Sequence, residues 1–241
     1  MDLFHDYLEK IGDILGSIGQ QEARYNDVAA KVLARLSAGG FLYTFGTGHA
    51  HLLSLEVFYR AGGLARVAPI LDEDLMLHRS ASASTGFERQ ADRAAPLLDR
   101  CGAGDGDALV VISNSGRNAL PVEMALEARR RGLYVVALTS LSSPAPSRHP
   151  RGLKLAEAAD DALDLFGAPG DACLELPGGF TVCPTSTAAG AVALQLLVAK
   201  IVELAAGSGA ALETFRSSNV EGGDEANSAI IEKYRGRIQA L

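Results

Sequence analysis

Basic charge is scarce in this chain. Its 241 residues hold 22 lysines and arginines against 29 aspartates and glutamates, a net charge of −7. That balance excludes nucleic acid or an anionic membrane as a bulk partner, because both need a basic face. A small anionic ligand is still compatible, since local dipoles oppose the global sign. Cysteine is scarce as well: Cys101, Cys173 and Cys183 are odd in number, scattered and in no metal-type spacing, which predicts reduced thiols in a cytoplasmic protein. The N-terminus shows no basic-apolar-small leader pattern, and the chain shows no solenoid repeat or low-complexity tract. One stretch, Ala188 to Ala206, is strongly apolar, but Gln195, Lys200 and Glu203 interrupt it. Charges inside a span cost roughly 2.5 to 3.5 kcal/mol each at its centre, so the stretch predicts a helix buried in a core or a subunit interface and no membrane span.

What is present is a core-forming composition, 48% apolar, ordered around residues 107 to 132. Leu109 to Ile112 form a β-branched apolar run that predicts a strand buried on both faces. Ser113-Asn114-Ser115-Gly116-Arg117-Asn118 follows, nearly all small and polar. Asn118 is then a helix cap, with Pro121 tolerated in the first turn. Leu120, Met124, Ala125 and Ala128 share a face at helical spacing, and Arg129 to Gly132 end the helix. Tyr134 to Leu138 supplies the next strand, completing a βαβ unit with a hydroxyl- and amide-rich loop at the carboxyl end of its first strand. Backbone N–H groups at a helix start and neutral side-chain donors can wrap a phosphate without any cation. The alternative is a Ser/Gly connection set by turn geometry alone.

The same grammar recurs along the chain. Two amphipathic helices precede Gly39-Gly40, marked by Leu3 to Ile18 and by Tyr25 to Leu36. A strand over Phe41 to Phe45 leads into Gly46-Thr47-Gly48-His49-Ala50-His51 and a helix through Leu52, Leu55, Glu56 and Tyr59, closed by Gly62-Gly63. Ala65 to Leu71 reads as a strand, and Asp72 to Ala94 as a helix plus an active-site loop. Thr139-Ser140 ends another strand in hydroxyls, and Pro144, Pro146 and Pro150 make the next segment irregular. A short helix at Ala158-Ala159-Asp160 precedes a strand at Ala162 to Leu165, and Ala172 to Leu176 reads as a strand near an edge. Pro184-Thr185-Ser186-Thr187 caps the long apolar helix, and a last helix runs to about Gln239. Alternating strands and helices predict an α/β fold: an open, mostly parallel sheet covered on both faces, with ligands outside the carboxyl ends of its strands.

Gly46-Thr47-Gly48 after the first strand, Ser113 to Asn118 after the third and Thr139-Ser140 after the fourth together resemble the SIS (sugar isomerase) fold. Phe58 to Gly63, Pro146 to Pro150, Gly170-Asp171-Ala172, Pro184 to Thr187 and Asn219 to Glu225 are similar to one bacterial branch of it, the UPF0309 or "sugar isomerase domain-containing" proteins. The resemblance implies a three-layer, Rossmann-like SIS domain over residues 1–241, with a helical pair over 1–38, an α/β core over 39–206 and a tail with its helix over 207–241. It implies a sugar-phosphate ligand and a homodimer or homotetramer whose site is built from two subunits. By position, Ser113, Ser115 and Asn118 ring the phosphate and Gly46 to Gly48 contribute from the first loop. Asn114, Gly116, Thr139, Ser140, Thr185 and Ser186 complete the expected binding set. Ala50 stands where related loops usually place a serine. Phosphoheptose isomerases use a glutamate on the helix after the first loop and a histidine on the last core helix; here those places hold Arg60 and no histidine, so that particular activity is not expected.

Aldose-ketose isomerisation needs ring opening and proton transfer between adjacent carbons, hence a carboxylate and a second acid or base at the sugar. Glu56, one turn before Arg60, reads either as that base or as a carboxylate paired with the arginine. His78 reads as an acid or base or as a solvated loop histidine, and Glu88 as a further proton carrier. His49 and His51 at a helix start lack a third metal ligand in sequence, so they are expected as neutral imidazoles on sugar hydroxyls, and neither a metal nor another cofactor is expected. His149 is expected to be structural. The function open at this point is a sugar-phosphate isomerase, including amino-sugar phosphates, against a non-catalytic phosphosugar sensor or a phosphosugar lyase or etherase.

Overall fold

A computed structural model describes all residues 1–241. Its centre is a five-stranded parallel sheet built from β1 (Leu42–Gly46), β2 (Val67–Pro69), β3 (Ala108–Ile112), β4 (Tyr134–Thr139) and β5 (Asp161–Asp164), in the order β2-β1-β3-β4-β5. In that order the chain reverses direction across the sheet between β1 and β3, the position where doubly wound sheets open a crevice for ligands. Period-two alternation assigns each strand residue to one of two cores. Val110 and Ile112 face one with α1 (Leu3–Gly19), α2 (Glu22–Ser37), α3 (Ala50–Glu56) and α8 (Ser186–Ser208). Leu109 and Val111 face the other with α5 (Ala94–Cys101), α6 (Ala119–Arg130), α7 (Leu155–Ala158) and α9 (Gly223–Tyr234). The sheet is thus the middle of three layers, and the fully buried runs of β3 and β4 follow from burial on both sides.

Several boundaries differ from the sequence reading. The helix expected to reach Tyr59 stops at Glu56. Tyr59 is left-handed at φ 44° and turns its ring onto Phe215, 5.0 Å between centroids. The strand expected over Ala65 to Leu71 shrinks to three residues ending at Pro69, which has no N–H to give. The short helix lies at Leu155–Ala158, earlier than expected, and β5 starts at Asp161 because the buried Asp161 carboxylate accepts from Lys31 and Tyr134. Ala172–Leu176, β6, does not edge the main sheet. It pairs antiparallel with β7 (Phe180–Pro184) in a separate hairpin, turned by Gly178 and Gly179 at φ 94° and 80°. The polar stretch after β2 is more helical than its pattern suggests, holding α4 (Leu77–Phe87) with a break at Ser80, and then α5.

Candidate functional site

A cavity of about 510 Å3 opens at the carboxyl ends of the parallel strands, lined from the loops after β1, β3, β4 and β5, from Glu88 beyond α4 and from the start of α8. The floor is the loop after β3. Gly116 sits there at φ 59°, where a Cβ would come within 2.7 Å of Thr139 Oγ1, so the loop turns tightly against β4. Asn114 locks it: its carbonyl accepts from Ser140 N (2.9 Å) and Thr139 Oγ1 (3.2 Å), and its Oδ1 accepts from Ser140 Oγ (2.7 Å). Ser140 Oγ in turn accepts from Gly167 N at 2.9 Å. Fixed in this way, the loop leaves the hydroxyls of Ser113 and Ser115 and the N–H groups of Ser115, Arg117 and Asn118 with no acceptor in the chain. Free neutral donors of this kind at the start of a helix are the chemistry that suits an anion.

Glu88 spans the cavity wall. Its Oε2 accepts from Thr47 Oγ1 at 2.8 Å and its Oε1 from Asn118 Nδ2 at 2.6 Å, so one carboxylate joins the loops after β1 and β3. Burial pushes its pKa up, against the pull of the Thr47 hydrogen bond and of Arg89 and Arg148 nearby. Asn118 is therefore not the side-chain cap of α6 that its position suggests. It makes no cap bond, and its Oδ1 accepts from Arg148 Nη1 at 3.1 Å.

Of the residues expected from sequence, Thr47, His49, Glu88, Ser113, Asn114, Ser115, Asn118, Ser140 and Ser186 line the cavity. The others do not. Glu56 bonds Arg60 (2.9 Å) and Gln195 (3.3 Å) on the outer side of α3 and α8, the ion-pair alternative. His78 is exposed, with its ring 6.4 Å from that of His51, and His51 is buried with Nδ1 2.5 Å from Gly48 O. Gly46 is pressed against Ala50, where a Cβ would lie 2.4 Å from its carbonyl, and Gly48 gives its N–H to Leu75 O. Gly116 and Thr139 shape the floor from beneath. Thr185 is fully buried and committed to Asp171. The start of α8 already holds an anion: Asp171 Oδ1 accepts from Thr185 N (3.0 Å) and Ser186 N (2.8 Å), and its Oδ2 from Ser186 Oγ (2.7 Å). That carboxylate occupies the donors expected to meet a ligand.

Arg117, Arg148 and Asp171 line the cavity without having been singled out as site residues. All three lie inside the motifs that carry the family resemblance, which was the available signal. His149 is buried, accepts from Arg151 N at Nδ1 (3.3 Å) and so donates from Nε2 to Glu123 (2.9 Å), a structural role. No group of three or more His, Cys, Asp or Glu side chains is placed to hold a metal ion.

The family model described as the SIS domain matches residues 6–140. A UPF0309 protein of Listeria innocua is 39% identical over 243 aligned residues, covering 99% of this chain and 98% of its own. One from Geobacillus thermodenitrificans is similar to the same degree, 39% with the same coverage. Among solved structures, phosphoheptose isomerase GmhA of Neisseria gonorrhoeae superposes with a TM-score of 0.54 at 18% identity, covering 85% of this chain and 98% of that one. A phosphoheptose isomerase of Francisella tularensis gives 0.55 at 16%, covering 84% and 97%; at these identities the likeness is one of fold. With a family model matched over more than half its length and full-length relatives at this identity, the chain belongs to the SIS domain family, in the branch named UPF0309.

Proposed function

We propose that the cavity binds a sugar phosphate and that the protein interconverts aldose and ketose phosphates, amino-sugar phosphates included, by proton transfer. The observation that carries this reading is Glu88: a partly buried carboxylate of raised pKa on the wall of a cavity whose floor offers free serine hydroxyls and loop N–H groups. In this reading the floor is a cradle that takes the phosphate through Ser113, Ser115 and the loop amides, with the dipole of α6 behind them. The sugar carbons then extend toward Glu88, which moves a proton between the first and second carbons. A base of raised pKa is better matched to that task near neutrality than an ordinary glutamate. His49, exposed at the start of α3 and lining the same cavity, is the second acid or base for ring opening. Membership of the SIS family supports the ligand class.

The functional unit in this reading is a homodimer or a pair of dimers. Leu52 and Leu55 of α3, Tyr59 just after it, and Val192 and Leu196 of α8 leave apolar side chains on the outer face, each more than a third exposed, and exposed apolar patches mark interaction surfaces.

Exchange of the proton on the second carbon, followed in deuterated water across a panel of hexose, hexosamine and heptose phosphates, tests the reaction. Exchange with at least one member is expected, slowed about 100- to 10,000-fold by Glu88→Gln while that sugar still binds. Tight binding without exchange for every member overturns the enzyme and leaves a phosphosugar sensor.

A further inference from the structure

Many arginines of the chain find carboxylates: Arg129 pairs with Asp160 at 2.7 Å, and Arg131 with Asp99 (2.7 Å) and Glu127 (2.8 Å). Arg117 and Arg148, which line the cavity, form no ion pair, and the Arg148 guanidinium meets the neutral amide oxygen of Asn118 instead. The guanidinium Nε of Arg117 is buried with no hydrogen-bond partner. A buried charged donor left unmatched is costly, so it marks a place where a partner belongs. Arg148 is held over the loop by its backbone N–H on Arg117 O (2.7 Å) and its Nη1 on Asn118 Oδ1 (3.1 Å). Its pKa is pushed down by desolvation and by the Arg117 and Arg89 charges beside it, with Glu88 opposing. The two acids that line the cavity are committed elsewhere, Glu88 to Thr47 and Asn118 and Asp171 to the start of α8. The lining thus carries two arginines and two carboxylates, and neither carboxylate forms an ion pair with either arginine.

We propose that Arg117 and Arg148 form a second anion subsite, so that the preferred ligand is a doubly anionic phosphosugar, carrying a carboxylate or a second phosphate besides the phosphate in the serine cradle. This rests on the sugar-phosphate reading above. It differs from that reading in chemistry: the cradle offers neutral hydroxyls and amides that suit a phosphate, whereas two guanidinium groups select a further charge through forked, charge-assisted bonds.

Calorimetric titration with fructose 6-phosphate, fructose 1,6-bisphosphate and 6-phosphogluconate tests it. The bisphosphate, the carboxylate or both bind about ten- to a hundredfold more tightly than the monophosphate, and which of them gains identifies the second group. Arg117→Gln and Arg148→Gln each remove most of that advantage, and Arg148→Gln, outside the cradle loop, leaves fructose 6-phosphate binding within about threefold. Arg148 is exposed, so its variant keeps the test valid if the Arg117 variant folds poorly. Equal affinity for all three ligands overturns the subsite and leaves the sugar-phosphate reading standing, as does an equal loss for the monophosphate in the Arg148 variant. Failure of all three, and of a hexosamine phosphate and a heptose phosphate titrated beside them, overturns both.

Discussion

Glu88 and Glu56 look alike in sequence, each a carboxylate near a polar loop with an arginine within four residues. Tertiary structure separates them. Glu56 lies on the last turn of α3, on the face that meets Gln195 of α8, while Glu88 follows α4 and drops between Thr47 and Asn118. Helical periodicity tells which residues share a face, but not which face meets the cavity. Arg117 and Arg148 were hidden for a related reason: an arginine's role depends on whether a carboxylate lies nearby, and that is settled by contacts between distant loops. Because burial raises the Glu88 pKa, a rate that needs its ionised form rises with pH through a midpoint above the ordinary glutamate range and flattens beyond it. Gly116 is legible by contrast, since only glycine adopts its φ of 59° cheaply beside Thr139. Gly116→Ala is expected to lower stability by about 2 kcal/mol in urea titration, from the left-handed backbone and the contact with Thr139; an unchanged midpoint contradicts that geometry for the floor.

Among elements, β3, the loop after it and α6 were readable almost residue by residue, because a doubly buried strand and an amphipathic helix have strong periods. Of the β6–β7 hairpin only the strand Ala172–Leu176 was, and neither its partner nor their pairing. Its residues are only partly buried, and its partner strand Phe180–Pro184 is short and mixed, so no period stands out. Yet the hairpin positions α8: Asp171 at its start holds Thr185 and Ser186 at its end. Asp171→Ala removes the anion at the start of α8 and is expected to cost about 1 to 2 kcal/mol of stability. Asp171→Asn keeps an acceptor and tolerates the positive φ of 75° at this position, so thermal denaturation is expected to show a smaller loss for it. Equal losses contradict a capping role for the charge.

For the whole molecule, composition and alternation were enough to indicate a parallel sheet covered on both faces, and the strand order places the cavity where such a sheet opens. What neither composition nor period carries is the outward face. Ser186–Ser208 is long and apolar enough to cross a membrane by those criteria alone. In the fold it packs one side on α1, α2 and α3 and leaves Val192 and Leu196 outside. Sedimentation is expected to give at least twice the mass of one chain, and Leu55→Glu with Leu196→Glu is expected to give a folded monomer. A wild-type monomer contradicts the assignment of that face.

The cradle itself is tested most directly by titrating phosphorylated hexoses, hexosamines and heptoses, each beside its unphosphorylated parent, into the wild type and into Ser113→Ala, Ser115→Ala. Binding of at least one phosphorylated member and of no parent sugar is expected, weakened about 100- to 10,000-fold in the double variant by loss of two hydrogen bonds to a charged group. Undiminished affinity in that variant, or parent sugars binding as well as their phosphates, contradicts it.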